Sequence, residues 1–177
     1  MNILLVGDAC LDSFVYGHSP RLSPELPVPI FVPCSSGSNV GMAGNVLANL
    51  QSLGPTTGCF DIKTIFPEIL TSKTRYVDQK TNHHFLRVDE DSRCPPLSIN
   101  TFTGLMATGH YDAVVISDYA KGFLNTGNMA AMLRYCSETQ IPTFVDTKSL
   151  LGLWSEQATF VKINEVEEAA HIKAGVT

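Results

Sequence analysis

The sequence predicts an α/β fold built on a parallel β-sheet with helices on both faces, and three observations lead there. Residues 2 to 7 form a short, continuous apolar run ending in Gly7-Asp8, as a buried parallel strand does when a functional loop follows its carboxyl end. From about residue 98 onward, helical and strand-like patterns alternate regularly. The residues just after the apolar runs are unusually polar, and in such sheets ligands sit outside the carboxyl ends of the strands.

The elements follow in order. After the first strand, Ser13-Phe14-Val15-Tyr16 and Val28-Pro29-Ile30-Phe31-Val32 read as strand pieces separated by a proline-rich stretch that cannot be helical, the pattern of a small flap. Ser35 to Val40 reads as a Gly/Ser/Asn loop. Beyond it Ala43, Val46, Leu47, Leu50 and Leu53 recur at helical spacing, predicting a helix over 42–53 capped by Gly54. Between residues 55 and 72, Ile62, Ile65, Phe66 and Ile69 are expected on one short helical face broken by Pro67. Arg75 to Asp89 reads as a hairpin turning through Lys80-Thr81-Asn82. Helices are then predicted near 98–108, near 125–139 and from Glu165, with strands at 112–117, 142–146 and 158–162.

Composition bounds the function. The 177 residues are 44% hydrophobic and 16% charged, which suits one globular domain over 1–177 and excludes a disordered chain. A net charge of −5, with 12 scattered Lys and Arg, argues against a nucleic-acid partner or an anionic membrane surface. The run Ile3 to Val6 is too short for a signal or transmembrane segment, and a cytoplasmic location is expected. Cys10, Cys34, Cys59, Cys94 and Cys136 are widely spaced without a C-x-x-C pair, so reduced thiols are expected rather than disulfides or a metal site. His83-His84 does not read as a metal pair, because adjacent strand residues point to opposite faces.

The chemistry is expected at one edge of the sheet. Gly7-Asp8 and Asp12 follow the first strand, and Ser117-Asp118-Tyr119-Ala120-Lys121-Gly122 the next central one. Asp146-Thr147-Lys148 and Asn164-Glu165-Val166-Glu167 come after those. Converging carboxylates, lysines and glycines suit a polyol and a metal-complexed phosphate. Each aspartate can equally be a helix cap, each lysine a solvated surface group, and the acidic start of the last helix a response to its dipole. The stretch Gly37 to Asn45 offers backbone access ahead of a helix N-terminus, but it fits neither G-x-G-x-x-G nor G-x-x-x-x-G-K-[ST].

These residues resemble the ribokinase-type (PfkB) carbohydrate kinases across essentially the whole chain. Leu5-Val6-Gly7-Asp8 with Leu11-Asp12 looks like that family's first strand and substrate aspartate. Arg21-Leu22-Ser23-Pro24-Glu25-Leu26-Pro27-Val28-Pro29 is the sharpest feature. It resembles the R-x-S-P-E-x-P-V-P segment of the heptose 7-phosphate kinase domain of bifunctional ADP-heptose synthases. Gly41 to Asn45, Lys73-Thr74-Arg75, Leu86 to Asp89, Ser117 to Gly122, Val145 to Lys148 and Asn164-x-x-Glu167 follow in the family's order.

The resemblance implies an incomplete ribokinase-like doubly wound parallel sheet with a small β flap from 12–34 and 74–90. It implies transfer of the ATP γ-phosphoryl group to a sugar hydroxyl with Mg2+, and a homodimer through the flap. Asp8, Asp12, Gly41 and Asn45 would position the sugar and Lys121 would face it; Lys148, Asn164 and Glu167 would face nucleotide phosphate, with Glu167 organising Mg2+ indirectly.

Departures accompany it. Met42 replaces the second glycine of the sugar turn, and Thr147 stands where proline is usual, a minor change. Gly54 to Lys73 is short for a strand-helix-strand unit. The chain has no Gly-Ala-Gly-Asp segment and stops at Thr177, in what should be the helix after Glu167. It therefore reads as C-terminally abbreviated, without the catalytic base aspartate or a complete adenine pocket, and inactive alone. The other reading open at this point is a non-catalytic sugar-phosphate-binding or dimerisation module.

Overall fold

A computed structural model describes residues 1–57, 60–90 and 94–175. In chain order the strands are β1 (Asn2–Gly7), β2 (Ala9–Leu22), β3 (Pro29–Met42), β4 (Asp61–Ile65), β5 (Thr71–Asp78), β6 (His84–Glu90), β7 (Ala113–Asp118), β8 (Thr143–Thr147) and β9 (Phe160–Lys162). The helices are α1 (Ala43–Thr57), α2 (Ile99–Thr108), α3 (Thr126–Glu138) and α4 (Glu165–Lys173), with a 3-10 turn at Leu153–Ser155. The chain divides into two compact units.

The first unit comprises Met1–Ala9, Met42–Ile69 and Arg93–Thr177. Its sheet has the order β4-β1-β7-β8-β9, every neighbouring pair parallel, as the alternation of strands and helices predicts. Both faces of β1 are covered, which is why it is apolar throughout. Leu4 and Val6 join Val114, Ile116 and Val145 in a core with Phe102 and Met106 of α2 and Met129, Met132 and Leu133 of α3. Phe102, fully buried, meets Tyr135 edge-on at 5.8 Å. On the opposite face Ile3 and Leu5 are buried too, and a Cβ on Gly7 would stand 2.8 Å from Ala43 Cβ of α1 and 2.6 Å from the Ser117 carbonyl. Glycine at position 7 is what lets α1 and β7 approach the end of β1.

The second unit, Cys10–Gly41 and Leu70–Ser92, is a sheet of order β3-β2-β5-β6. β2 and β5 run parallel, from Cys10 against Thr71 to Gly17 against Asp78. β5 and β6 form the expected antiparallel hairpin. Its turn is held by Asp78, whose Oδ1 accepts from the Lys80 and Thr81 amides and the Thr81 hydroxyl, with Asn82 left-handed at φ 59°.

Three sequence expectations are corrected. Ser35 to Val40 is not a loop but the second half of β3. Those residues are exposed at the sheet's edge, so their polarity records solvent contact rather than irregular backbone. The segment at 62–65 is strand, not helix: Asp61–Ile65 pairs with Asn2–Val6, and the pairing overrides an ambiguous apolar pattern. Helix α1 runs through Gly54 to Thr57 rather than stopping there. Among the cysteines, Cys10 and Cys136 are buried and Cys34 is exposed, while Cys59 lies outside the described residues.

Candidate functional site

The carboxyl edge of the first unit's sheet is organised by two buried aspartates. Asp8, only 1% exposed, follows β1, and its Oδ2 accepts from the Tyr119 amide at 2.7 Å and the Lys121 amide at 3.3 Å. The loop after β7 is thereby wrapped around one carboxyl group, with Ala120 left-handed at φ 54° and Gly122 at φ 96°. Burial pushes the Asp8 carboxyl above its ordinary pKa, the Tyr119 and Lys121 amides work against this, and the Asp118 charge adds to it. Asp8 Oδ1 and the Ser117 hydroxyl have no hydrogen-bond partner among the described residues.

Asp118, 2% exposed, is the second organiser. Its Oδ1 accepts from the Ala120 amide at 2.8 Å, and its Oδ2 accepts from the hydroxyls of Thr147 and Ser149, each at 2.7 Å. The Lys148 amide donates to the Asp118 carbonyl at 3.1 Å. One side chain thus fixes both lysine-bearing loops, a role the sequence reading did not assign. Thr147 is not a minor replacement for proline, because its hydroxyl is one of the donors a buried carboxylate needs and a proline ring has none.

Beside these loops lies a cleft of about 210 Å³ lined by Asp118, Tyr119, Asp146, Lys148, Lys162, Asn164 and Glu167. The structure therefore brings Lys148, Asn164 and Glu167 together. The Lys148 ammonium lies 5.0 Å from the Tyr119 ring centroid. Lys162 reaches Asp146 at 3.1 Å, and that bond and charge hold its ammonium above the ordinary lysine pKa. At the start of α4, Asn164 Oδ1 accepts from the Glu167 amide at 2.9 Å and Glu167 Oε2 accepts from the Asn164 amide at 2.8 Å. This is a reciprocal capping box, so the capping role and the cleft-lining position coexist in the same pair. Tyr119 follows β7, whereas Asp146 and Lys162 stand at the carboxyl ends of β8 and β9, and position at a strand end was the only signal for them.

The remaining candidates are dispersed. Lys121 contributes its amide to Asp8, and Asn45 is exposed in the first turn of α1. In the second unit Asp12 is paired with Arg75 at 2.7 Å, the two side chains 14% and 18% exposed, and the guanidinium lies 5.2 Å from the Phe14 ring centroid. Gly41 is beside it: a Cβ there would be 2.3 Å from Asp12 Oδ2. Met42, 4% exposed, holds φ 57°, a left-handed conformation that favours glycine.

No family model matches the chain. In sequence it is similar to the bifunctional protein HldE of Caulobacter vibrioides, 31% identical over 195 residues covering 95% of this chain and 40% of that protein. It is 33% identical over 174 residues to HldE of Hyphomonas neptunium, covering 83% of this chain and 36% of that protein. The resemblance expected from the sequence is thus found. The chain spans about two fifths of the length of these relatives.

In structure the chain is similar to a carbohydrate kinase from Agrobacterium tumefaciens, with TM-score 0.60 at 13% identity, covering 96% of this chain and 62% of that one. It is also similar to the ribokinase of Arabidopsis thaliana complexed with ribose and ATP, with TM-score 0.57 at 9% identity, covering 93% and 60%. The fold is ribokinase-like, as the sequence resemblance implied.

Proposed function

We propose that this chain carries the sugar- and phosphate-binding part of an ATP-dependent sugar kinase of the heptose 7-phosphate type. The observation that carries the reading is the cleft at the ends of β7, β8 and β9, where the Lys148 ammonium and the capped start of α4 line one concave surface. Lys148, Asn164 and Glu167 would face nucleotide phosphate, and Lys121 the sugar phosphate. Asp12, Gly41 and Asn45 would hold sugar hydroxyls, while Asp8, expected to position the sugar, is 1% exposed and would act instead by shaping the loop that bears Lys121. Among the described residues no group of three or more His, Cys, Asp and Glu side chains gathers for direct metal binding, so Mg2+ would arrive with the nucleotide and meet Glu167 indirectly. Bound there, it supplies neutralisation of phosphate charge.

No Gly-Ala-Gly-Asp segment, the source of the base in the resemblance, occurs in the 177 residues. The proposal for this chain is therefore confined to binding, and the second reading is a non-catalytic sugar-phosphate-binding or dimerisation module. A homodimer through the β-rich second unit is part of the proposal, motivated by the exposed Leu22, Val32, Phe85, Leu86 and Val88 on its strands. Calorimetry with D-glycero-β-D-manno-heptose 7-phosphate, alongside ATP turnover on a panel of sugar phosphates, tests the function. Heptose phosphate binding with zero turnover is expected, absence of sugar-phosphate binding would refute the kinase-part reading and leave only a dimerisation module, and a monomer by light scattering would remove the dimer.

A further inference from the structure

Helix α4 carries three glutamates in its first turn and leaves Val166 and Ile172 mostly exposed, at 79% and 70%. Its one buried side chain is His171, 5% exposed. A helix anchored by a histidine rather than by an apolar stripe calls for a specific explanation. The explanation is in the two ring nitrogens. Nδ1 bonds the carbonyl of Glu167 one turn back, and Nε2 lies 2.8 Å from the Leu151 amide nitrogen. A carbonyl has no proton to give and an amide N–H has no lone pair to offer. Nδ1 must therefore carry the proton and Nε2 the lone pair, so only the neutral Nδ1–H tautomer makes both bonds.

The two partners belong to two segments that shape the cleft. Glu167 closes the capping box with Asn164. Leu151 lies at the end of the loop after β8 that begins with Lys148 and is fixed to Asp118 through Ser149. We propose that His171 is a positioning residue, a strut that holds the Lys148 loop and the Asn164–Glu167 helix start at a fixed separation. The meaning of that separation for phosphate binding rests on the proposed function; the strut itself does not. The ionisable groups lining the groove around the imidazole are Glu156, beyond the 3-10 turn, and Glu168 on α4 itself.

Nitrogen-15 NMR of the ligand-free chain at neutral pH tests the strut without reference to any ligand. The expected result is a His171 imidazole with a protonated Nδ1 and an unprotonated Nε2, and the Nε2–H tautomer would overturn the proposal. Hydrogen exchange gives the second measurement: His171→Leu should speed exchange of the Leu151 amide about tenfold, while His171→Gln, whose carbonyl reaches the position of Nε2, restores much of the protection. Unchanged Leu151 protection in His171→Leu would also overturn it. Pyrophosphate titration then separates the two claims. Weaker binding by His171→Leu, recovered in His171→Gln, supports both. If the wild-type chain has the Nδ1–H tautomer and a protected Leu151 amide but does not bind pyrophosphate, the functional reading fails and the strut stands.

Discussion

The hydroxyl of Thr147 donates to Asp118 Oδ2 across 2.7 Å and so ties the end of β8 to the end of β7. Both residues are almost fully buried, at 1% and 2% exposure. A carboxylate in such a place needs donors on every side it presents, and here they come from Thr147, Ser149 and the Ala120 amide. The loops carrying Lys121 and Lys148 are both tied to this side chain, and the first is held by Asp8 as well.

Thr147→Val keeps the shape and removes the donor. It should destabilise the fold by about 1–3 kcal/mol, whereas Thr147→Ser should cost much less. Urea denaturation of the variants checks this, and Thr147→Pro should behave at least as badly as valine.

Met42 should reverse the usual order of alanine and glycine. Its left-handed φ costs about 1–2 kcal/mol for any residue with a Cβ. Burying the side chain returns about 1.5–3 kcal/mol. Met42→Ala loses the packing and keeps the strain, while Met42→Gly loses both. The glycine variant should be the more stable by about 1 kcal/mol, read from the difference between their denaturation midpoints.

The fold class and the candidate edge of the sheet were legible because they rest on patterns of sequence itself. The apolar run of β1, the helical spacing in α3 and the polar residues after β7 and β8 all record burial directly. Two segments were not legible, for opposite reasons. β3 is a strand made of loop-like residues because it lies exposed at an edge, and β4 is a strand only because β1 is there to pair with it. The couplings that set the site were hidden as well. Thr147 to Asp118 and His171 to Leu151 join residues 29 and 20 positions apart, and no local pattern marks them.

Gly41→Ala should break the Asp12–Arg75 pair, since the new Cβ would stand 2.3 Å from Asp12 Oδ2 and force the carboxylate aside. A loss of about 1–3 kcal/mol is expected. In a double-mutant cycle the effect should shrink when Arg75 is already replaced by Met, because the pair is then absent.

Thiol reactivity should follow exposure. Among the four described cysteines Cys34 is exposed and should react first with Ellman's reagent. Cys10 and Cys94 have thiols pushed up chiefly by burial, and Cys136 is pushed up to about 12. At pH 8 only about 1 in 10,000 Cys136 side chains would be thiolate, so labelling there should require unfolding.

Asp8 gives the pH dependence. Its folded pKa lies above the model-peptide value of 3.8, so between the two the native state binds more protons than the unfolded one. Stability from this group is greatest in acid and falls as pH rises through the folded pKa. Asp8→Asn removes the titration and keeps an acceptor for the Tyr119 amide. The stability of the wild type relative to Asp8→Asn should therefore increase as pH is lowered from 7 toward 4, and a constant difference would contradict the assignment.

Calorimetric titration of Mg2+ with a non-hydrolysable ATP analogue tests whether the cleft built from Lys148, Asn164 and Glu167 takes magnesium-complexed nucleotide phosphate, as proposed. Saturable binding is expected, and Lys148→Ala should weaken it about tenfold with folding intact, as for loss of one charge-assisted contact. No heat of binding by the wild type, or equal affinity in Lys148→Ala, would contradict it.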